Sequence, residues 1–220
     1  MKIKLRAFSI IFIGCILVFS VIRILQIKVQ EAIPLNKPLY SLTKEEKSQF
    51  QTGDIILRKG YGFVSNLIYK VMDEDFEVTH LGVIIKDDNK LRVAHALSSK
   101  VSNQDGLRFQ DLDTFIYHSV DNTVLVTRLK GIDSLKQMKI KHQLDSYLKL
   151  NLPFDHKFDY SDTTEHYCSE LIWRIYEHNL NILQVDSNLS NEEKYNALKI
   201  FYDTTYFDYI INHHTRRSSN

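Results

Sequence analysis

Val78-Thr79-His80-Leu81-Gly82-Val83-Ile84-Ile85-Lys86-Asp87-Asp88-Asn89-Lys90-Leu91-Arg92-Val93-Ala94-His95-Ala96-Leu97 is the stretch whose reading decides the fold. Two aliphatic runs rich in β-branched residues, Val78–Lys86 and Leu91–Leu97, flank the polar segment 87–90. That is the pattern of two antiparallel strands joined by a tight turn. Each strand carries one histidine. If the hairpin folds about Asp88 and Asn89, His80 and His95 lie roughly opposite one another across the ladder, both held on rigid elements.

Upstream, Thr43-Lys44-Glu45-Glu46 has capping-box spacing and opens a short helix through Phe50. Gly53-Asp54 ends it, Ile55-Ile56-Leu57 reads as a buried strand, and a helix is expected over Val64–Met72. Downstream, after a loop containing Gly106, Val120–Leu129 gives another strand. Ile132–Leu150 places Leu135, Met138, Ile140, Leu144 and Leu148 at helical spacing. Cys168–Leu180 does the same with Leu171, Ile172, Ile175 and Tyr176. At least four strands with amphipathic helices and no internal repeat predict an α+β fold with an antiparallel sheet packed against helices.

A chain of 220 residues that is 44% hydrophobic supports one domain with a substantial core. The boundaries read as an apolar N-terminal segment at 1–27, a linker at 28–40 with two prolines, the domain at 41–212 and a polar tail at 213–220. With 28 Lys and Arg against 27 Asp and Glu there is no bulk basic excess, so nucleic acid is not an expected partner. From Ala7 to Ile22 no residue is charged, and Lys2, Lys4 and Arg6 precede the run. Sixteen apolar residues, extended by Ile24, Leu25 and Ile27 if Arg23 snorkels, fit a single transmembrane helix acting as an uncleaved signal anchor. The positive-inside rule then places the domain outside the cytoplasmic membrane. A cleaved signal peptide lacks a small-x-small site, and a lipoprotein signal before Cys15 is weakened by the apolar residues that follow it.

The two cysteines are Cys15, inside the apolar run, and Cys168, so no disulfide framework forms within the domain. Cys168 lies between a polar loop and a helix start, where unpaired amides favour a thiolate and stand ready to bind an oxyanion. A lone cysteine is more often a small buried hydrophobe, and a lone histidine more often an ordinary core or surface residue. Two imidazoles in cross-strand register answer a further need of thiol catalysis, a base and a group to orient it.

The ordered series Gly53-Asp54-Ile55-Ile56-Leu57, Thr79-His80-Leu81-Gly82-Val83, Arg92-Val93-Ala94-His95-Ala96 and Tyr167-Cys168-Ser169-Glu170-Leu171 resembles the circularly permuted NlpC/P60 papain-like cysteine hydrolases. Its YiiX/YebB-like amidase branch is the nearest in pattern. The resemblance spans about Gly53–Tyr176 and has the permuted order, histidine strand before cysteine. It implies Cys168 as nucleophile, His80 as base and His95 as the orienting third member, with no cofactor. The same set also resembles the lecithin:retinol acyltransferase-like branch. The expected activity is cleavage of an amide bond through a Cys168 thioester, with cell-wall-derived peptides as first substrate. The alternatives are a lipid acyltransferase or lipid-amide or ester hydrolase, or a silent ligand-binding module.

Tyr160, Tyr167 and Glu170 are weaker candidates to contact substrate, Glu170 more readily taking a structural ion pair. Asp54 reads as a turn residue closing on local amides. His118, His142, His156, His166, His178, His213 and His214 show no metal-ligand spacing, so no metal is expected, and His213-His214 reads as solvated.

Overall fold

The computed structural model describes residues 33, 34, 37, 39–72, 74–88, 90–185, 190, 194, 195 and 197–214. The segment read as a membrane anchor lies outside the described residues. Among those that are described, no helix is long and apolar enough to cross a membrane. In chain order come α1 (Lys44–Ser48), β1 (Ile55–Arg58), α2 (Phe63–Val71), β2 (His80–Asp87), β3 (Lys90–Leu97), β4 (Gly106–Asp111), α3 (Leu112–Tyr117), β5 (Leu125–Leu129), α4 (Ser134–Leu150) and α5 (Cys168–Trp173). A π-helical turn, Arg174–Asn179, continues α5 directly, and a short 3-10 helix at Lys199–Tyr202 precedes β6 (Phe207–Asn212). The strands form one antiparallel sheet in the order β4-β3-β2-β1-β5-β6.

Side-chain alternation sorts the sheet residues into two cores. Ile55, Leu57, Leu81, Val83 and Ala94 face α4 and α5, meeting Ile140, Leu144, Leu171 and Ile172. Ile56, Ile84, Val93 and Val126 face the other way, onto Leu42, Phe50 and the α3 residues Leu112, Phe115 and Ile116. Covered on both faces, β1 is buried throughout, which is why its sequence reads as a continuous apolar run. Each predicted strand and helix is present, with α1 opened by the reciprocal Thr43–Glu46 capping bonds.

Several expectations need correction. The loop after β3 contains β4, which pairs with β3 from Gly106 to Asp111, and the chain after the π-turn supplies β6 beside β5. Both are short edge strands mixing polar and apolar residues, so neither stands out as an apolar run. On α4 only Ile140 and Leu144 are buried, and Leu135 and Met138 are exposed. His213 is not solvated: its Nδ1 lies 2.6 Å from Tyr40 Oη and its Nε2 2.6 Å from Glu46 Oε1, which fixes the end of the chain to α1.

Asp54 closes on the Gln51 amide at 2.8 Å, as a turn residue should, and is also fully buried against Arg128. Arg128 Nε donates to Asp54 Oδ1 at 2.7 Å and Nη2 to Oδ2 at 2.8 Å. This two-pronged pair ties the turn before β1 to β5. Arg128→Met should therefore lower unfolding free energy by about 3 kcal/mol in denaturant titrations, because it strands a buried carboxylate. Asp54→Asn in the same chain should recover part of the loss, and a neutral effect of Arg128→Met alone would contradict the role given to the pair.

Candidate active site

β1 ends and β2 begins at the same end of the sheet, with Arg58 paired to His80. Thr79 secures the start of β2: its amide donates to the Arg58 carbonyl at 2.9 Å and its Oγ1 accepts from the Gly60 amide at 3.0 Å. The pairing of β2 with β3 runs from Asp87–Lys90 to Val83–Ala94, with Asp88 in the left-handed region at φ 48°. This register is shifted from the simple midpoint, so the histidines are diagonal neighbours and His95 falls opposite Gly82. A Cβ on Gly82 would lie 2.5 Å from Val93 Cγ1, 2.8 Å from the Ala94 carbonyl oxygen and 3.0 Å from His95 Cβ. Only glycine leaves room for β3 to bring His95 this close.

The two rings meet directly. His80 Nε2 and His95 Nδ1 are 2.8 Å apart in one hydrogen bond. Phe115 of α3 packs on both, at centroid distances of 5.9 Å to His80 and 5.1 Å to His95. The Arg58 guanidinium, on a residue that is 2% exposed, lies 4.7 Å from the same Phe115 ring, and its Nη1 donates to the His118 carbonyl. Burial, then the positive charge of Arg58, then the neighbouring His95 hold His80 well below the ordinary imidazole range. His95 is lowered to about 3, first by burial and then by Arg58 and His118, with the Gln110 side chain on β4 acting in the opposite sense. Both rings are neutral at pH 7.

Cys168 opens α5 and is partly exposed. The backbone amides of Ser169, of Leu81, the residue after His80, and of Cys168 itself act to lower its pKa. Burial nevertheless pushes its pKa up to about 11, against those amides and the charge of Arg58. Burial thus opposes the thiolate that the helix start favours. Among the described residues no hydrogen bond joins Cys168 to His80. The Leu81 amide, on the strand residue after His80, is among the groups acting on the thiol, and Arg58 is the cation acting on all three groups.

The weaker candidates are placed differently. Glu170 is fully buried and accepts from Arg174 Nε at 3.1 Å and Nη2 at 3.0 Å, with the Tyr167 amide at 3.4 Å and His166 Nδ1 at 3.4 Å. One helical turn separates Glu170 from Arg174, so this carboxylate is occupied by its own helix. Tyr167 is buried against Phe158, and Tyr160 stacks on Tyr195 at 5.4 Å with its ring partly exposed. Sequence reasoning misses Arg58, Gln110 and the Leu81 amide. Arg58 is detectable in principle as a charge ending an otherwise apolar buried strand. A main-chain amide leaves no sequence signal.

No group of three or more His, Cys, Asp or Glu is placed to hold a metal ion among the described residues. With a thiol of pKa about 11, about one Cys168 in ten thousand is thiolate at pH 7. Alkylation of the Cys168 peptide by iodoacetamide should thus be slower than that of free cysteine at pH 7 and climb about tenfold per pH unit through pH 10. A fast, flat rate between pH 5 and 8 would instead reveal a preformed thiolate–imidazolium pair.

Residues 49–206 match the family model described as permuted papain-like amidase enzyme, YaeF/YiiX, C92 family. The chain is similar to the solved structure of YiiX from Escherichia coli O157:H7, described as a metalloprotein. The TM-score is 0.52 and the identity 25%, over 61% of this chain and 68% of that one. No curated protein matches the chain. With a family match over most of its length, the histidine strands ahead of the cysteine helix and an antiparallel sheet between two layers of helices, the chain belongs to the permuted papain-like amidase enzymes of the YaeF/YiiX, C92 family.

Proposed function

We propose that the chain cleaves an amide bond by acyl transfer to Cys168, with His80 as general base and His95 as the group that orients it. The observation that carries this reading is the 2.8 Å hydrogen bond between the His80 and His95 rings, with Cys168 opening the helix that packs on the same two strands and the Leu81 amide of the His80 strand acting on its thiol. As His80 Nε2 is engaged by His95, its Nδ1 is the nitrogen left to take the thiol proton. That role requires His80 Nε2–H to donate to His95 Nδ1, which places the His95 proton on Nε2.

As substrate binds, His80 removes the proton while sulfur attacks the carbonyl carbon, directly or through one water. The amides around the sulfur stabilise the oxyanion, and His80 returns the proton to the leaving amine. Water then attacks the thioester, again deprotonated by His80, to release acid and free Cys168. Cell-wall-derived peptides are the first choice of substrate, with the Ala7–Ile22 run holding the domain at the outer face of the cytoplasmic membrane. Lipid amides or esters are the second, favoured by the exposed apolar residues of α2, the helix between β1 and β2.

On a wall-peptide amide, Cys168→Ala and His80→Ala should each lower kcat/KM by about 10³ or more, and His95→Ala by about 10- to 100-fold. Unchanged activity in His95→Ala would remove it from the site. Because His80 is depressed, it stays in its base form as pH falls through 6.5, so the acid limb of kcat/KM should lie well below 6.5. Arg58→Met removes a charge that opposes protonation and should move that limb upward. A limb at 6.5 in both proteins would contradict the electrostatics of the site. Intact mass should show a mature chain that retains its N-terminal segment, and a chain beginning at or after residue 15 would exclude the signal anchor.

A further inference from the structure

The helix between β1 and β2 half-buries Val64 and Ile68 but leaves the rest of its apolar arc in solvent. On α2, Phe63, Val64, Leu67, Ile68 and Val71 occupy one arc, and Ser65, Asn66, Tyr69 and Lys70 the other. In a water-exposed domain the apolar arc should face the core. Instead no residue of α2 is buried, and Phe63, Leu67 and Val71, spaced one turn apart, are 62%, 50% and 76% exposed. What ties the helix to the domain from its polar arc is Tyr69: its Oη donates to Glu77 Oε1 at 3.1 Å, and Lys59, paired to Glu77 at 2.9 Å, lies over the Tyr69 ring at 4.1 Å.

The entry point of the chain says what covers this stripe. Lys37 is clamped by the carbonyls of Tyr117 at 2.6 Å and Ser119 at 2.7 Å and lies 5.0 Å from the ring of Tyr61, two residues before α2. The chain leading from the apolar run thus meets the domain beside α2. The ten residues from Ile27 to Lys37 span at most about 36 Å, so a membrane holding that run stays within reach of the helix. Leu39, 86% exposed, adds an apolar residue next to the clamp. A second copy of the chain is a poor occupant, because one nine-residue helix offers far less than the roughly 800 Å² per partner of a stable interface. A bilayer surface asks only for a few apolar side chains at shallow depth with flanking lysines such as Lys70 reaching the headgroups.

We propose that α2 is an interfacial helix that lays Phe63, Leu67 and Val71 into the surface of the lipid bilayer. Since α2 lies in the connection from Arg58 to the strand of His80, this contact turns that end of the sheet toward the membrane, where a membrane-associated substrate would approach. The proposal uses the anchor reading of Ala7–Ile22 to bring the membrane near and takes nothing from the hydrolase chemistry. The test is tryptophan fluorescence of full-length Leu67→Trp and Val71→Trp chains in phosphatidylcholine–phosphatidylglycerol vesicles with dibrominated acyl chains. Trp173, the single native tryptophan, is fully buried and supplies the background, and Leu135→Trp on α4 is the control.

The new tryptophans on α2 should lose roughly half their emission to the brominated lipid and be shielded from acrylamide, as expected at interfacial depth, while the indole of the Leu135→Trp control behaves as a solvated group. Co-sedimentation with vesicles but no lipid quenching would overturn the docking and leave the anchor standing. Shielding from acrylamide without lipid quenching would mean that protein covers the stripe, which also overturns it. Failure to co-sediment would overturn docking and anchor together. Unchanged thermal unfolding of the variants establishes that the fold is intact.

Discussion

The 2.8 Å hydrogen bond between His80 and His95 sets conditions that reach across the molecule. It joins two neutral rings, so the surroundings must keep protons off both. Burial under Phe115 and the fixed charge of Arg58 do so. It also needs β3 to approach β2 closely, which the missing side chain of Gly82 permits. α3 is placed to present Phe115, β4 to bring Gln110 near His95, and the turn at Asp88 to set the diagonal register. A change in any of these would move the His80 ring.

The same burial shapes the chemistry expected of Cys168. A papain-like site can hold its thiol and imidazole as a preformed ion pair or as two neutral groups that exchange a proton during attack. Here the sulfur is buried enough to raise its pKa to about 11 although three amides and Arg58 favour the anion, and His80 resists protonation. Both effects favour the neutral pair. A neutral thiol also resists oxidation, which proceeds through the thiolate.

The hairpin around His80 and His95 is legible in the sequence because β-branched runs and a polar turn are local signals, and Cys168 stands out at a helix start after a polar loop. The order of four short motifs carries the permuted family, which the match over residues 49–206 bears out. The register differs from the expected one by a diagonal step, since it depends on turn geometry that composition does not encode. β4 and β6 are hidden because edge strands are chosen by their partners more than by their own residues. Arg58 and Gln110 matter through position across strands, and the Leu81 amide is main chain. Glu170 is ambiguous in sequence, and it is Arg174, four residues on, that occupies it in the fold.

The central claim is that Cys168 carries the acyl group between substrate and water. It is tested most directly by mixing the full-length protein with p-nitrophenyl acetate and mapping acetylated peptides by mass spectrometry. The account predicts one acetyl group on the Cys168 peptide, released by neutral hydroxylamine as a thioester is, and its loss in His80→Ala. Acetylation of a different residue, or nitrophenol release that persists undiminished in Cys168→Ala, would contradict it.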